Sequence, residues 1–295
     1  MSDEQLMGVA ARLATSLESL AALAAHIRVE TEGLRPEPEV RELLRQIAGE
    51  LVGADASLDG SQPIVGLTQT LLGQAGELVA QPDRPAGWVH TDERLLQGTG
   101  RMSMAIAPVI AGAAPGLAGL SARLSGPAAA FLDVGTGAGW LAIALAKAHP
   151  GMRVVGIDIF EPALELAERN RVSSGLEARF ELRRQDVTTL GDEEAYDAVW
   201  LPLPFLPRST VPGAIAAAAR ALKPGGWLLP GLYGGPPDAL GQLIADLRTV
   251  RSGGHVWGVD ELVGELSAGN LVGAHEVERT WNAPVRLFAA QRPGA

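Results

Sequence analysis

The sequence predicts an α/β chain: an open, mostly parallel sheet wound with helices, preceded by an all-helical segment. Three observations predict it. From about residue 129, short β-rich apolar runs alternate with helix-length stretches, as in parallel strands joined by crossovers. The run Phe131-Leu132-Asp133-Val134-Gly135-Thr136-Gly137-Ala138-Gly139-Trp140 ends a strand in an acid, then places three glycines at alternate positions. The first 80 or so residues lack that alternation and read as helices.

The elements follow in order. Ser2-x-x-Gln5 is a capping box that opens the first helix. Leu6, Leu13, Leu20 and Ile27 recur every seven residues, flanked by Val9, Leu17 and Leu23, giving one apolar face. That face suits a core or a dimer seam. Pro36 and Pro38 end the helix, and Pro38 opens a second one carrying Val40, Leu43, Leu44, Ile47 and Leu51. Asp59-Gly60-Ser61 is a turn, and a third helix is expected over 64–79. Residues 81–87 read as a linker, so the expected domains are 1–87 and 88–295. Met102 to Ala122 carries no charge, but Pro108 and Pro115 are expected to break it into two buried helices rather than leave a membrane span. Strands are expected near 129–134, 153–158, 178–184, 196–201 and 226–232, with helices between them at 139–149, 161–174 and 211–223. A helix near 237–250, another over 259–268 and two strands, 272–280 and 284–290, close the chain.

With 47% hydrophobic residues in 295, the chain can bury a substantial core. A net charge of −10 argues against a nucleic-acid binder, which needs a basic footprint. The absence of cysteine excludes disulfides, thiolate nucleophiles and cysteine-bound zinc, and no histidine pair has metal-ligand spacing, so no metal is expected. Met1-Ser2-Asp3-Glu4 is acidic and unlike a secretory signal, so a cytoplasmic protein without membrane attachment is expected.

The chemistry concentrates in the glycine run. Glycines let the backbone turn tightly and approach a ligand that a Cβ would exclude. The helix starting near Gly139 points its N-terminus at that ligand. Asp158, ending the run Val154-Val155-Gly156-Ile157-Asp158, is placed to accept from two ribose hydroxyls. A dinucleotide site wants Gly-x-Gly-x-x-Gly, and here Trp140 holds the third place. The spacing Asp-x-Gly-x-Gly-x-Gly instead resembles motif I of the class I S-adenosylmethionine-dependent methyltransferases. Arg184-Gln185-Asp186-Val187, Tyr196-Asp197-Ala198-Val199-Trp200-Leu201-Pro202 and Leu222-Lys223-Pro224-Gly225-Gly226 are similar to that family's later motifs, in its order.

The resemblance, over about residues 90–292, implies a Rossmann-like seven-stranded methyltransferase fold whose last strand is antiparallel. It implies S-adenosylmethionine as cofactor, leaving as S-adenosylhomocysteine, with the methyl going to a small, largely apolar acceptor. A hydroxyl is favoured over an amine, in bacterial secondary metabolism. Gly135, Thr136, Gly137 and Gly139 would line the methionine end, with Asp133 near the ammonium. Asp158 would hold the ribose, Ile159 would pack on the adenine, Asp186 and the Val187 amide would meet its edge, and Leu201 would complete the cofactor set. Trp200, Phe205, Arg101 and Trp257 would line the acceptor pocket. Relatives with a helical N-terminal domain place a histidine after the fourth strand, but Leu203-Pro204-Phe205-Leu206-Pro207 has none. His255, flanked by glycines, and His90 are therefore the candidate bases. The resemblance also implies a homodimer through the N-terminal helices. A methyltransferase for protein or RNA, or a module that binds the cofactor without turnover, are the alternatives.

Overall fold

The computed structural model describes residues 2–294, and the chain forms two compact units. The first holds the chain to Pro82 together with Gln97–Met102; the second holds Asp83–Leu96 and the chain from Ser103. The division thus falls at Pro82, ahead of the expected 87/88.

In the first unit, α1 (Asp3–Thr31) starts at the expected capping box, with the Ser2 side chain accepting from the Gln5 amide and the Gln5 side chain from Ser2. Pro38 does open α2 (Pro38–Val52), and α3 spans Gln62–Ala80. Only the last turns of α1 enter the unit's core, through Ala24, Ile27 and Val29. Leu6, Leu13 and Leu17 are exposed, as are Val40, Leu43 and Leu51 of α2. By length and composition alone α1 could also cross a membrane, a test that the core helix of a soluble protein passes too. The helix α4 (Glu93–Ser103) begins in the second unit, and its later turns belong to the first.

The second unit corrects one expectation about proline. Pro108 does not break a helix; it sits in the first turn of α5 (Ile106–Ala113), where its missing N–H has no partner to lose. Pro115 lies in a short 3₁₀ turn, followed by α6 (Leu120–Ser125).

The sheet then forms from β1 (Ala130–Val134), β2 (Arg153–Asp158), β3 (Phe180–Arg184), β4 (Tyr196–Pro202), β5 (Leu222–Tyr233), β6 (Val272–Glu276) and β7 (Val285–Gln291). Its order is β3-β2-β1-β4-β5-β7-β6. The first five strands are parallel, and β7 runs antiparallel to both β5 and β6. The crossovers are α7 (Trp140–Ala148), α8 (Glu161–Ser173) and α9 (Val211–Ala221); α10 (Ala239–Arg251) and α11 (Val259–Ala268) follow β5. One sheet face packs on α5, α6 and α7, the other on α9 and α11. β6 stops short of the expected Thr280. After it, the Arg279 guanidinium donates to four carbonyls, of Gly235, Trp281, Asn282 and Ala283, so the chain to β7 is pinned by hydrogen bonds and not by strand pairing.

This order positions the site. The chain runs outward from β1 to β3 and then returns to β4 on the other side of β1. The carboxyl ends of β1 and β4 therefore flank a crevice at the switch point, where open α/β sheets bind ligands.

Candidate functional site: a glycine cradle between two carboxylates

The loop after β1 forms one side of the crevice. Gly135, Gly137 and Gly139 have φ of 63°, 54° and 80°, a left-handed backbone that other residues adopt only with strain. Thr136 is tucked beneath: its amide donates to the Ile157 carbonyl and its hydroxyl to Asp133 Oδ2, at 2.8 Å. A Cβ on Gly156 would lie 2.7 Å from the Thr136 hydroxyl, so β2 needs a glycine there for the loop to seat. Gly139 caps α7, whose N-terminal end and dipole face the crevice.

Two acids close the cradle. Asp133, at 2% exposure, is buried. Burial pushes its carboxyl up to about 7; the Thr136 hydroxyl opposes that rise, and the Asp158 charge adds to it. Asp158 ends β2, with Oδ2 accepting from the Gly137 amide at 2.8 Å and Oδ1 from the Phe160 amide at 2.9 Å. Burial raises its carboxyl as well, against those amides. A carboxylate has about four lone-pair sites, so Asp158 can still accept from a ligand. Next to it Ile159 is 65% exposed, an apolar ledge at the crevice edge.

The third strand end behaves more locally. Asp186 is exposed and caps the turn Val187–Thr189, with Oδ1 accepting from both the amide and the hydroxyl of Thr188. Oδ2 is left for a ligand. The Val187 side chain is buried.

Four expected contacts lie elsewhere than on a pocket wall. Every residue of β4 is buried, and the Leu201 side chain is wholly in the core, so only its backbone can meet a ligand. Trp200 is 4% exposed and lies on Gly231 of β5, where a Cβ would come within 2.0 Å of the indole; the ring fills the core and not a pocket wall. Trp257 is also buried, at 3% exposure, under the Arg208 guanidinium, with its indole N–H unpaired among the described residues. Arg101 belongs to the first unit, on α4 opposite Gly66 of α3.

Beyond β4, aromatic rings do gather. Phe205 meets Trp88 edge to face at 5.3 Å and Tyr233 at 6.0 Å, and Trp88 meets His90 at 4.8 Å. The Tyr233 hydroxyl is buried without an aligned partner; burial pushes it up to about 12, with the nearby Ser252 hydroxyl pulling the other way, so the phenol stays protonated. His255 does lie on a glycine-flanked loop. Gly254 presses on the Pro204 carbonyl, where a Cβ would come within 2.5 Å, and this holds the loop against the β4 exit. His255 Nε2 lies 3.3 Å from Glu261 Oε1, which also pairs with Arg208 at 2.6 Å. Sequence reasoning missed Tyr233, Glu261 and Arg208. No sequence spacing pointed at them.

A glycine cradle flanked by carboxylates at a switch point defines a nucleoside-binding α/β domain. Residues 131–226 match the family of methyltransferase domains, and that segment is a methyltransferase domain. The chain is similar to the demethylmenaquinone methyltransferase of Thermus thermophilus, 36% identical over 114 residues, 39% of this chain and 51% of that protein. It is similar to the release factor glutamine methyltransferase of Gloeobacter violaceus, 35% identical over 129 residues, 43% of either. The chain spans about half the length of these curated relatives. Among solved structures it resembles human N-acetylserotonin methyltransferase in complex with S-adenosylmethionine, with a TM-score of 0.64 and 16% identity over 100% of this chain and 99% of that one. The fold is therefore that of the S-adenosylmethionine-dependent methyltransferases, helical N-terminal segment included.

Proposed function

We propose that the protein transfers a methyl group from S-adenosylmethionine to a small, largely apolar acceptor, a hydroxyl ahead of an amine. The observation that carries this reading is the pair Asp133 and Asp158 around the glycine cradle. When ionised, two carboxylates held against the glycine loop favour a cationic nucleoside and disfavour a pyrophosphate. Asp158 takes the ribose hydroxyls, Asp133 faces the positive methionine end, Ile159 supports the adenine and Asp186 Oδ2 meets its amino edge. When bound, the cofactor would supply a methyl on a sulfonium, whose leaving group is a neutral thioether. The protein's task is then to position the acceptor and exclude water.

Phe205, Trp88 and Tyr233 give the acceptor side apolar walls. His255 takes the acceptor proton at Nδ1, with Glu261 at Nε2 steadying the imidazolium. Bacterial secondary metabolism suits such an acceptor. A turnover assay tests the reading, using methyl-labelled S-adenosylmethionine and a panel of hydrophobic phenols, alcohols and amines. Label should pass to at least one acceptor. His255→Ala should cut the rate by about 10²-fold or more with little change in cofactor affinity. No transfer to any acceptor would end the enzymatic reading, and an unchanged rate would remove His255.

A second copy of the chain covers the exposed half of the α1 stripe. Leu6, Leu13 and Leu17 leave a seven-residue apolar repeat open on one side, the pattern of a helix seam. Sedimentation should give a dimer, and Leu13→Glu a monomer; a wild-type monomer at micromolar concentration overturns this.

A further inference from the structure

Asn170 lies on the inward face of α8, at helical spacing from the buried Ala163, Leu166 and Ala167. Its side-chain amide does not face solvent alone: Nδ2 donates to the Ala138 carbonyl at 2.8 Å. Ala138 is 2% exposed and lies between the two left-handed glycines, Gly137 and Gly139. The same peptide unit is held at its other end, because the Gly139 amide donates to the Thr136 carbonyl at 2.9 Å. The peptide joining Ala138 to Gly139 is thus bonded through both its C=O and its N–H. One rotation about that plane would turn the carbonyl elsewhere and change the φ of Gly139, on which the start of α7 depends.

Three side chains from three elements fix the cradle. Asp133 of β1 accepts from the Thr136 hydroxyl, Asp158 of β2 accepts from the Gly137 amide, and Asn170 of α8 donates a hydrogen bond to the Ala138 carbonyl. The first two are acids. Asn170 reaches the loop from behind and supplies the one donor of the three.

We propose that Asn170 is a positioning residue for the cofactor: it locks the Ala138–Gly139 peptide in the orientation that opens the cradle, so that no binding energy is used to order the loop. This rests on the S-adenosylmethionine reading. Preorganisation of this kind appears in affinity, because a loop that must be ordered on binding weakens it. The amide cannot be replaced by its isostere. An aspartate at 170 would set a carboxylate against a carbonyl, two acceptors facing each other.

Calorimetry with S-adenosylmethionine and S-adenosylhomocysteine tests this on the full chain. Asn170→Ala should weaken both ligands about fivefold, the worth of one hydrogen bond, and Asn170→Asp by about tenfold or more, with melting temperatures close to wild type. Acid should rescue only the aspartate variant, since a protonated carboxyl donates again. Below about pH 5 the affinity ratio of Asn170→Asp to Asn170→Ala should therefore rise, a comparison that cancels the titration of Asp133 and Asp158. A helix-packing role alone would lower the melting temperature and leave that ratio flat. Wild-type binding with both variants unchanged overturns the role of Asn170 alone. A wild-type chain that binds neither ligand overturns it together with the cofactor reading.

Discussion

Asp158→Ala should weaken S-adenosylmethionine binding by about 100-fold or more. The carboxylate has two tasks at once. It receives the Gly137 and Phe160 amides, which sets the bottom of the cradle, and it presents its remaining lone pairs to the ribose. Hydrogen bonds to a charged group are worth about 1.5–3 kcal/mol each, and removing one partner leaves the other buried and unpaired. Loss of about 3 kcal/mol is roughly a factor of 150 in affinity. Asp158→Asn separates the two tasks. Its amide retains one acceptor and must turn a donor toward either the Gly137 or the Phe160 N–H, so its affinity should fall between wild type and alanine. Isothermal calorimetry decides the matter. Wild-type affinity in the alanine variant would mean that the second strand end does not hold the nucleoside, and the cofactor would have to lie elsewhere.

The parts of this site that were legible in the sequence are those where one residue type alone satisfies a backbone constraint. Gly135, Gly137 and Gly139 are readable because a left-handed φ at alternate positions admits little else. Asp158 is readable because it ends a strand beside that loop. The sheet was readable from its period, as was Pro38, which needs no N–H at the start of α2.

What could not be read was which way a side chain points when both sides of a strand are buried. β4 is buried at every position, so alternation carries no signal there, and Trp200 and Leu201 looked like lining when they are core. Gly231, against which the Trp200 ring lies, is a trace of that packing, but it lies far along the chain. Pro108 shows the same limit for helices, since a proline in a first turn and a proline that ends a helix look alike until the start is known. Asp186 was read from the sequence as a ligand contact. The fold makes it a cap through Oδ1 and leaves the contact to Oδ2. Glu261 was hidden because its partner His255 lies in the preceding loop, and Arg208 because it arrives from the loop between β4 and α9.

Asp133 makes the ligand-free chain and the binding reaction respond to pH in opposite directions. Burial, helped by the Asp158 charge, raises its carboxyl in the folded state to about 7, against about 3.9 in an unfolded chain. The folded protein therefore holds the proton more tightly than the unfolded one. The stability from the neutral carboxyl is fully present below the unfolded value and is lost as pH rises through 7. Lowering the pH from 7.5 to 5.5 should stabilise the ligand-free chain by about 2 kcal/mol at this site. Asp158, also raised, acts with the same sign, so the difference between wild type and Asp133→Asn isolates Asp133. A cationic ligand needs the ionised form instead. S-adenosylmethionine affinity should climb over the same interval from 5.5 to 7.5, by up to about 30-fold, and binding at pH 6 should expel close to one proton. Calorimetry in two buffers of different ionisation enthalpy reads that proton directly, and Asp133→Asn should abolish it. Identical enthalpies in both buffers at pH 6 for the wild-type chain would mean that the buried acid is not what the cation meets, and that the methionine end is held by the loop backbone instead.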